Sequence, residues 1–192
     1  MSLLDDVILK NEHFVEDYHR QISRTPAKRI AIFTCMDTRL VDFLEPAMGL
    51  RRGDAMVIKN AGNSLLDPSG SAVRSLVVAV FALGCEEIFV IGHLDCGMAD
   101  IEEEQLRRHM LDRGVPHEAI TAMKPSMRAW LGAFHDPHGN VLHVVDMIHQ
   151  SKLIPKDVPV HGLMFDPHSG RLELLLNGNA DVTLEQNNST QG

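Results

Sequence analysis

The sequence predicts an α/β fold: a central, mostly parallel β-sheet with flanking helices, antiparallel strands added at the C-terminal end, and an N-terminal helical arm. Three observations carry this prediction. Short apolar runs recur at Arg29 to Phe33, Ala55 to Lys59 and Glu87 to Ile91, each of strand length. A helix-length apolar stretch, Ala72 to Leu83, separates the second run from the third, giving the alternation of strands joined by right-handed crossovers. Near the end, VPVHGLMFDPHSGRLELLL holds two β-like runs around the turn-rich DPHSG, which read as a hairpin or antiparallel edge.

Taken in order, residues 1–24 carry Leu4, Val7, Ile8, Phe14, Val15, Tyr18 and Ile22 at near-helical spacing, so the arm is expected to lie on the core or on a partner. Gly84 stands where the 72–83 helix needs a C-cap. After Cys96 the pattern turns helical. MADIEEEQLRRHMLDRG carries mixed charges and ends on Gly114, and PHEAITAMKPSMRAWLGAF is interrupted by Pro125, which predicts a kink or two short helices. Asp136 and Pro137 form an N-cap followed by a first-turn proline, so a further helix should start there and run toward Lys152. The tail EQNNSTQG is polar and is expected to fray. The 192 residues are expected to form one domain, with 1–24 as the arm and 99–155 as a helical insert.

Composition narrows the function classes. No apolar run approaches the roughly 20 residues of a membrane helix. A formal net charge of −8 leaves no basic stripe for a phosphate backbone, so neither nucleic acid nor membrane is an expected partner. The acidic start MSLLDDVILKNEHF lacks a secretory pattern, and three cysteines fit a reducing compartment better than a disulfide framework. The expected location is the cytoplasm.

The chemistry concentrates at two strand ends. CMDTR follows the first strand and HLDC follows the third, at the carboxyl edge where open α/β sheets keep their ligands. Thiolate and imidazole are the usual zinc ligands, and a catalytic zinc takes three protein ligands. Cys35, His93 and Cys96 supply three. Taken singly, a cysteine is commonly a packed small hydrophobe and one histidine among eleven needs no explanation; their company changes that. Asp37 and Arg39 follow at alternate positions, so in an extended chain Cys35, Asp37 and Arg39 face one way. The fork of Arg39 suits the carboxylate of Asp37, which could otherwise ligate the metal and close the site. The backbone at Ala61 and Gly62 could approach a substrate closely. Asp95 reads either as a residue behind the ligands or as an ordinary turn aspartate, and Cys85 as a packed thiol.

C-x-D-x-R followed at a distance by H-x-x-C resembles the β-class carbonic anhydrases. The resemblance extends through VIKNAGN at 57–63, SLVVAVFALG, EEIFVIGH and the terminal VHGLMFDPHSGRLELL; the arm and the insert from about 99 to 155 are weakly covered. It implies one zinc per chain on Cys35, His93 and Cys96, with Asp37 and Arg39 as a catalytic dyad. It also implies a parallel sheet with an antiparallel addition, and a homodimer or higher homo-oligomer in which the arm embraces the partner. The chain resembles the small prokaryotic branch. It departs from many members in having no glutamine in SRTPAKR before the first strand, and in carrying Leu94 after the histidine.

The implied activity is reversible hydration of CO₂ to bicarbonate and a proton by zinc-bound hydroxide, since a metal lowers the pKa of bound water to about 7 in the best-known case. Asp37 would orient the hydroxide. The alternatives are hydrolysis of carbonyl sulfide or carbon disulfide on the same site, a non-catalytic zinc module closed by Asp37, and redox thiol chemistry, which the absence of C-x-x-C disfavours. His135, His138, His143 and His149 read as a solvated face, and the proton acceptor is not specified.

Overall fold

The computed structural model describes residues 2–16, 21–132, 134 and 136–180. Five strands form one sheet: β1 (Ile30–Cys35), β2 (Ala55–Asn60), β3 (Glu87–His93), β4 (Val160–Phe165) and β5 (Leu172–Leu176), in the order β2-β1-β3-β4-β5. The first four are parallel and β5 runs antiparallel to β4, as the closing turn sequence predicts. Asp166 organises that turn, accepting from the His168 amide at 2.9 Å and the Ser169 hydroxyl at 2.5 Å.

Helix α1 (Leu3–Glu16) opens with a reciprocal cap, Ser2 N to Asp5 Oδ2 and Asp5 N to Ser2 Oγ. Its apolar residues, Leu3, Leu4, Val7, Ile8 and Val15 among them, are exposed within the chain. These residues of α1 therefore do not rest on the chain's own core, whereas Ile22, farther along the arm, packs against Gly53; Tyr18 lies outside the described residues. Between β1 and β2 the crossover holds only a 3-10 turn at Thr38–Leu40 and the short α2 (Leu44–Ala47).

Helix α3 (Ser71–Phe81) buries Val73, Leu76 and Ala79, one face at helical spacing. It ends two residues earlier than the apolar run suggests. Gly84, at φ +70°, turns the chain there, and the Cys85 amide donates back to Ala79 O. Helix α7 (Pro137–Gln150) has the expected start: Asp136 accepts from the amides of His138 and Gly139, with Pro137 in the first turn. Its buried stripe, Val141, Val144, Val145 and Ile148, lies across β3 and β4. Between these helices α4 (Glu103–Asp112) buries no residue, while α5 (His117–Thr121) and α6 (Met127–Leu131) stand either side of Pro125; of the two outcomes expected there, a kink or two short helices, the chain takes the second.

The core has two parts. One joins α3 and α7 to the sheet through Phe33, Leu76, Val90 and Val141. The other gathers Ile32, Leu40, Leu44, Ile91 and Phe165 and includes Cys35, Cys96 and Phe134. The chemistry therefore sits in packed core.

Candidate metal centre

Cys35 and His93 are the last residues of β1 and β3, strands that pair directly. Both strands run two residues past the ends of their apolar runs, because the pairing continues beyond them. Cys96 follows at the mouth of a 3-10 turn, Gly97–Asp100. The three side chains are buried, and their ligand atoms lie within 4.8 Å of one another. Two adjacent parallel strands thus bring together residues 58 to 61 positions apart.

A single divalent ion fits this arrangement on two counts. Two thiolates at about 2.3 Å from one tetrahedral ion stand roughly 3.8 Å apart, and Cys35 Sγ and Cys96 Sγ are 3.9 Å apart. The His93 ring is fixed by Nδ1 against Leu94 O at 2.9 Å, which sets Nδ1 as the protonated nitrogen and leaves Nε2 a free lone pair. That Nε2 is buried and finds no partner of hydrogen-bonding geometry, a costly state unless a donor or a cation takes up its lone pair. Among the described residues no other group of three or more His, Cys, Asp and Glu side chains is arranged to hold a metal.

Electrostatics agree. The Cys35 thiol is pulled down to about 4 by the proton shared with Cys96, against burial, with help from His93 and the amides of Asp37 and Gly62. Cys96 is pushed up by its hydrogen bond with the Cys35 sulfur and by burial. The two sulfurs titrate as a coupled pair, and a metal cation binding both would displace the proton between them. Burial opposes charge on His93, but the neighbouring Cys35 sulfur outweighs it and raises the imidazole pKa.

Asp37 and Arg39 meet, but not by the predicted route. The chain does not stay extended after Cys35. It turns at Asp37, which caps the Thr38–Leu40 turn by accepting from the Arg39 amide at 2.8 Å, because a short acceptor entering a turn competes for the free amides. The same carboxylate receives Arg39 Nε on Oδ1 at 3.0 Å and Nη2 on Oδ2 at 2.8 Å. This fork holds Asp37 down to about 2 and raises Arg39. Asp37 Oδ2 stands 3.8 Å from His93 Nε2.

Gly62 lies at the site, but its amide faces the Cys35 sulfur. Its φ is +69°, and a Cβ there would meet Met98 Cγ at 2.9 Å and Phe134 Cδ2 at 3.1 Å, so both backbone and packing demand glycine. Ala61 precedes it in the same 3-10 turn, Ala61–Asn63. Two contacts have no local signal in the sequence. Asn140 on α7 donates to Gly62 O at 3.0 Å, and Asp95 bonds Arg39 across 56 positions. Cys85 is buried away from the trio, its thiol pushed up by burial. A cavity of about 760 Å³ opens beside β2, between Glu45 and Arg51, and includes none of the three candidate ligands.

Comparison with known proteins gives a consistent family. The sequence profile of the carbonic anhydrase family matches residues 30–172. The Bacillus subtilis (strain 168) protein YtiB, which bears a provisional carbonic anhydrase name, is 44% identical over 184 residues, covering 93% of this chain and 98% of that one. The crystal structure of β-carbonic anhydrase isoform I from Trichomonas vaginalis superposes with a TM-score of 0.89 at 39% identity, covering 93% and 100%. The carbon disulfide hydrolase of Saccharolobus solfataricus is 31% identical over 174 residues, covering 82% and 83%.

Proposed function

The chain belongs to the β-class carbonic anhydrase family, and from that premise we propose that it catalyses the reversible hydration of CO₂ to bicarbonate and a proton, with one zinc per chain on Cys35, His93 and Cys96. One observation carries the reading. Two buried thiols and an unpartnered, buried His93 Nε2 converge beside a carboxylate that Arg39 holds in place.

Zinc, when bound, supplies the Lewis acidity that makes a water molecule nucleophilic near neutral pH. The chain's own groups do the rest. Cys35 and Cys96 would hold the ion as thiolates, releasing the proton between them to solvent, and the Leu94 carbonyl keeps His93 in the tautomer that offers Nε2. Asp37, ionised down to about pH 2, remains a hydrogen-bond acceptor throughout the neutral range. Through Oδ2 it takes the proton side of the attacking water and turns the lone pair toward the carbon of CO₂. Arg39 keeps that carboxylate from becoming a fourth ligand. Ala61 and Gly62 form the neighbouring wall, with the Gly62 amide steadying the Cys35 sulfur.

The working form proposed is a homodimer or higher homo-oligomer. The exposed apolar residues of α1 support this, since a helix with such a face ordinarily buries it against something. The proposed location is the cytoplasm, where the thiols stay reduced; no described helix is long and apolar enough to cross a membrane.

The test is stopped-flow CO₂ hydration on metal-quantified protein above about pH 8. Rapid hydration with about one zinc per chain, lost together with the metal in Cys96→Ser, is the expected result. The carbon disulfide hydrolase relative supports a second reading, hydrolysis of carbon disulfide or carbonyl sulfide on the same residues. Full zinc without CO₂ hydration, but with sulfide released from carbon disulfide, would establish that instead. Full zinc with neither activity would leave a site closed by Asp37.

A further inference from the structure

Arg39 is held from two sides. Nε and Nη2 take Asp37, while Nη1 donates to Asp95 Oδ2 at 2.7 Å and Nη2 also donates to Asp95 O at 2.6 Å. Asp95 belongs to the other ligand loop, between His93 and Cys96. It reaches the guanidinium with backbone and side chain together because it adopts φ +53°, a conformation that few residues other than glycine, asparagine and aspartate accept readily. Among the described residues its carboxylate bonds to Arg39 alone, which is not what an ordinary turn aspartate does with its side chain.

We infer that Asp95 is a positioning residue: by clamping Arg39 it keeps Asp37 turned away from the metal position and so sets the share of molecules in which Asp37 becomes a fourth ligand. The inference rests on the zinc reading above. Its physical basis is the freedom of the arginine. A long side chain about a third exposed loses entropy when fixed, and Asp37 alone, two residues away, must hold it against that loss. Asp95 fixes the far edge of the same planar group, so the fork facing Asp37 is preformed. Asp37 needs only a short swing once the fork lets go, because Oδ2 already lies 3.8 Å from His93 Nε2, close to the spacing of two ligands on one ion.

The test is zinc release from the loaded protein into excess chelator. Asp95→Gly keeps the left-handed backbone and the carbonyl contact while removing the carboxylate; Asp95→Asn keeps the shape and weakens the bond. The Asp95 side chain is mostly exposed, so the clamp is worth what a partly screened ion pair supplies, about a two- to fivefold change. Zinc should leave Asp95→Gly about two- to fivefold more slowly than wild type, since Asp37 holds it more of the time, with Asp95→Asn in between. In an Asp37→Ala background the Asp95 substitutions should change nothing. A residue that merely supported the loop would give the opposite sign, faster release. Equal or faster release in both variants, or an effect that persists without Asp37, overturns the inference. Should Asp95→Gly fail to fold, Asp95→Asn carries the comparison. If wild type takes up no stoichiometric zinc, the zinc reading itself fails and the inference with it; if it does and the variants match it, only the inference fails.

Discussion

Gly92→Ala is expected to destabilise the protein by about 1–3 kcal/mol, the usual cost of overpacking a filled core. Gly92 lies on β3 immediately before His93, and a Cβ there would stand 2.5 Å from Val141 Cγ2 and 3.2 Å from Met164 Cε. Carbon atoms in contact prefer about 3.5–4.0 Å, so the first overlap is roughly 1 Å. Val141 cannot easily yield. It is fully buried on α7, and a helical valine is largely confined to one rotamer. Either α7 lifts from the sheet or β3 shifts, and for a chain of this size the melting temperature should fall by about 3–10 °C. Val141→Ala alone should cost about 2 kcal/mol through lost burial and a residual cavity. Because it removes the atom that Gly92→Ala strikes, the double variant should cost at least about 1 kcal/mol less than the sum of the two. Urea unfolding of the four proteins of the cycle measures this. A Gly92→Ala midpoint equal to wild type, or additivity within about 0.5 kcal/mol, would refute the claim that α7 seats on this strand through a glycine hollow.

Other outcomes are specific enough to check. Asp37→Asn should keep about one zinc per chain and lose CO₂ hydration by about ten- to a hundredfold, as removal of groups that orient metal sites commonly does; full activity in stopped-flow assays would remove Asp37 from its proposed role. Asp166 is held below its ordinary value of 3.8 by the Ser169 hydroxyl and the His168 amide, so the unfolded chain binds that proton more readily. Its stabilisation is complete above about pH 4 and lost as pH falls through the folded value, and the gap in melting temperature between wild type and Asp166→Ala should close over that descent. If the protein is the proposed oligomer, deleting residues 1–24 should yield monomer in sedimentation velocity, and an unchanged oligomer would show that the arm's apolar face serves another purpose.

The parts of this protein legible in its sequence are those set by local periodicity. Apolar runs marked the strands, and soft ligand atoms just past two of them marked Cys35, His93 and Cys96, because parallel strands deliver their carboxyl ends to one edge. The Asp136-Pro137 start of α7 was equally plain, since N-cap and first-turn chemistry is written in adjacent residues. Strand ends were less so: Thr34 and Cys35 continue β1 although the apolar run has stopped, held by pairing with β2 that no local pattern encodes. Asp37 and Arg39 do meet, but through a turn and not along an extended chain, because an aspartate that accepts the amide two residues on bends the backbone. The Asp95 contact with Arg39 and the Asn140 contact with Gly62 span 56 and 78 positions. They belong to the packing of separate elements and cannot be read from any window of sequence.

The convergence of Cys35 and Cys96 also divides the chain topologically. They stand 61 positions apart, so whatever grips both sulfurs cross-links β1 to the loop after β3 and closes a ring containing α2, β2, α3 and β3. A covalent tie around a ring of that size would remove about 4 kcal/mol of disorder from the unfolded chain, and a metal does so for as long as it keeps hold. Helix α7, β4 and β5 lie outside the ring. The two halves are therefore unequal in how they come apart under such a tie: the C-terminal strands can peel from the sheet edge with both sulfurs still joined, whereas β2 and α3 cannot spread apart fully until the grip on the sulfurs is released.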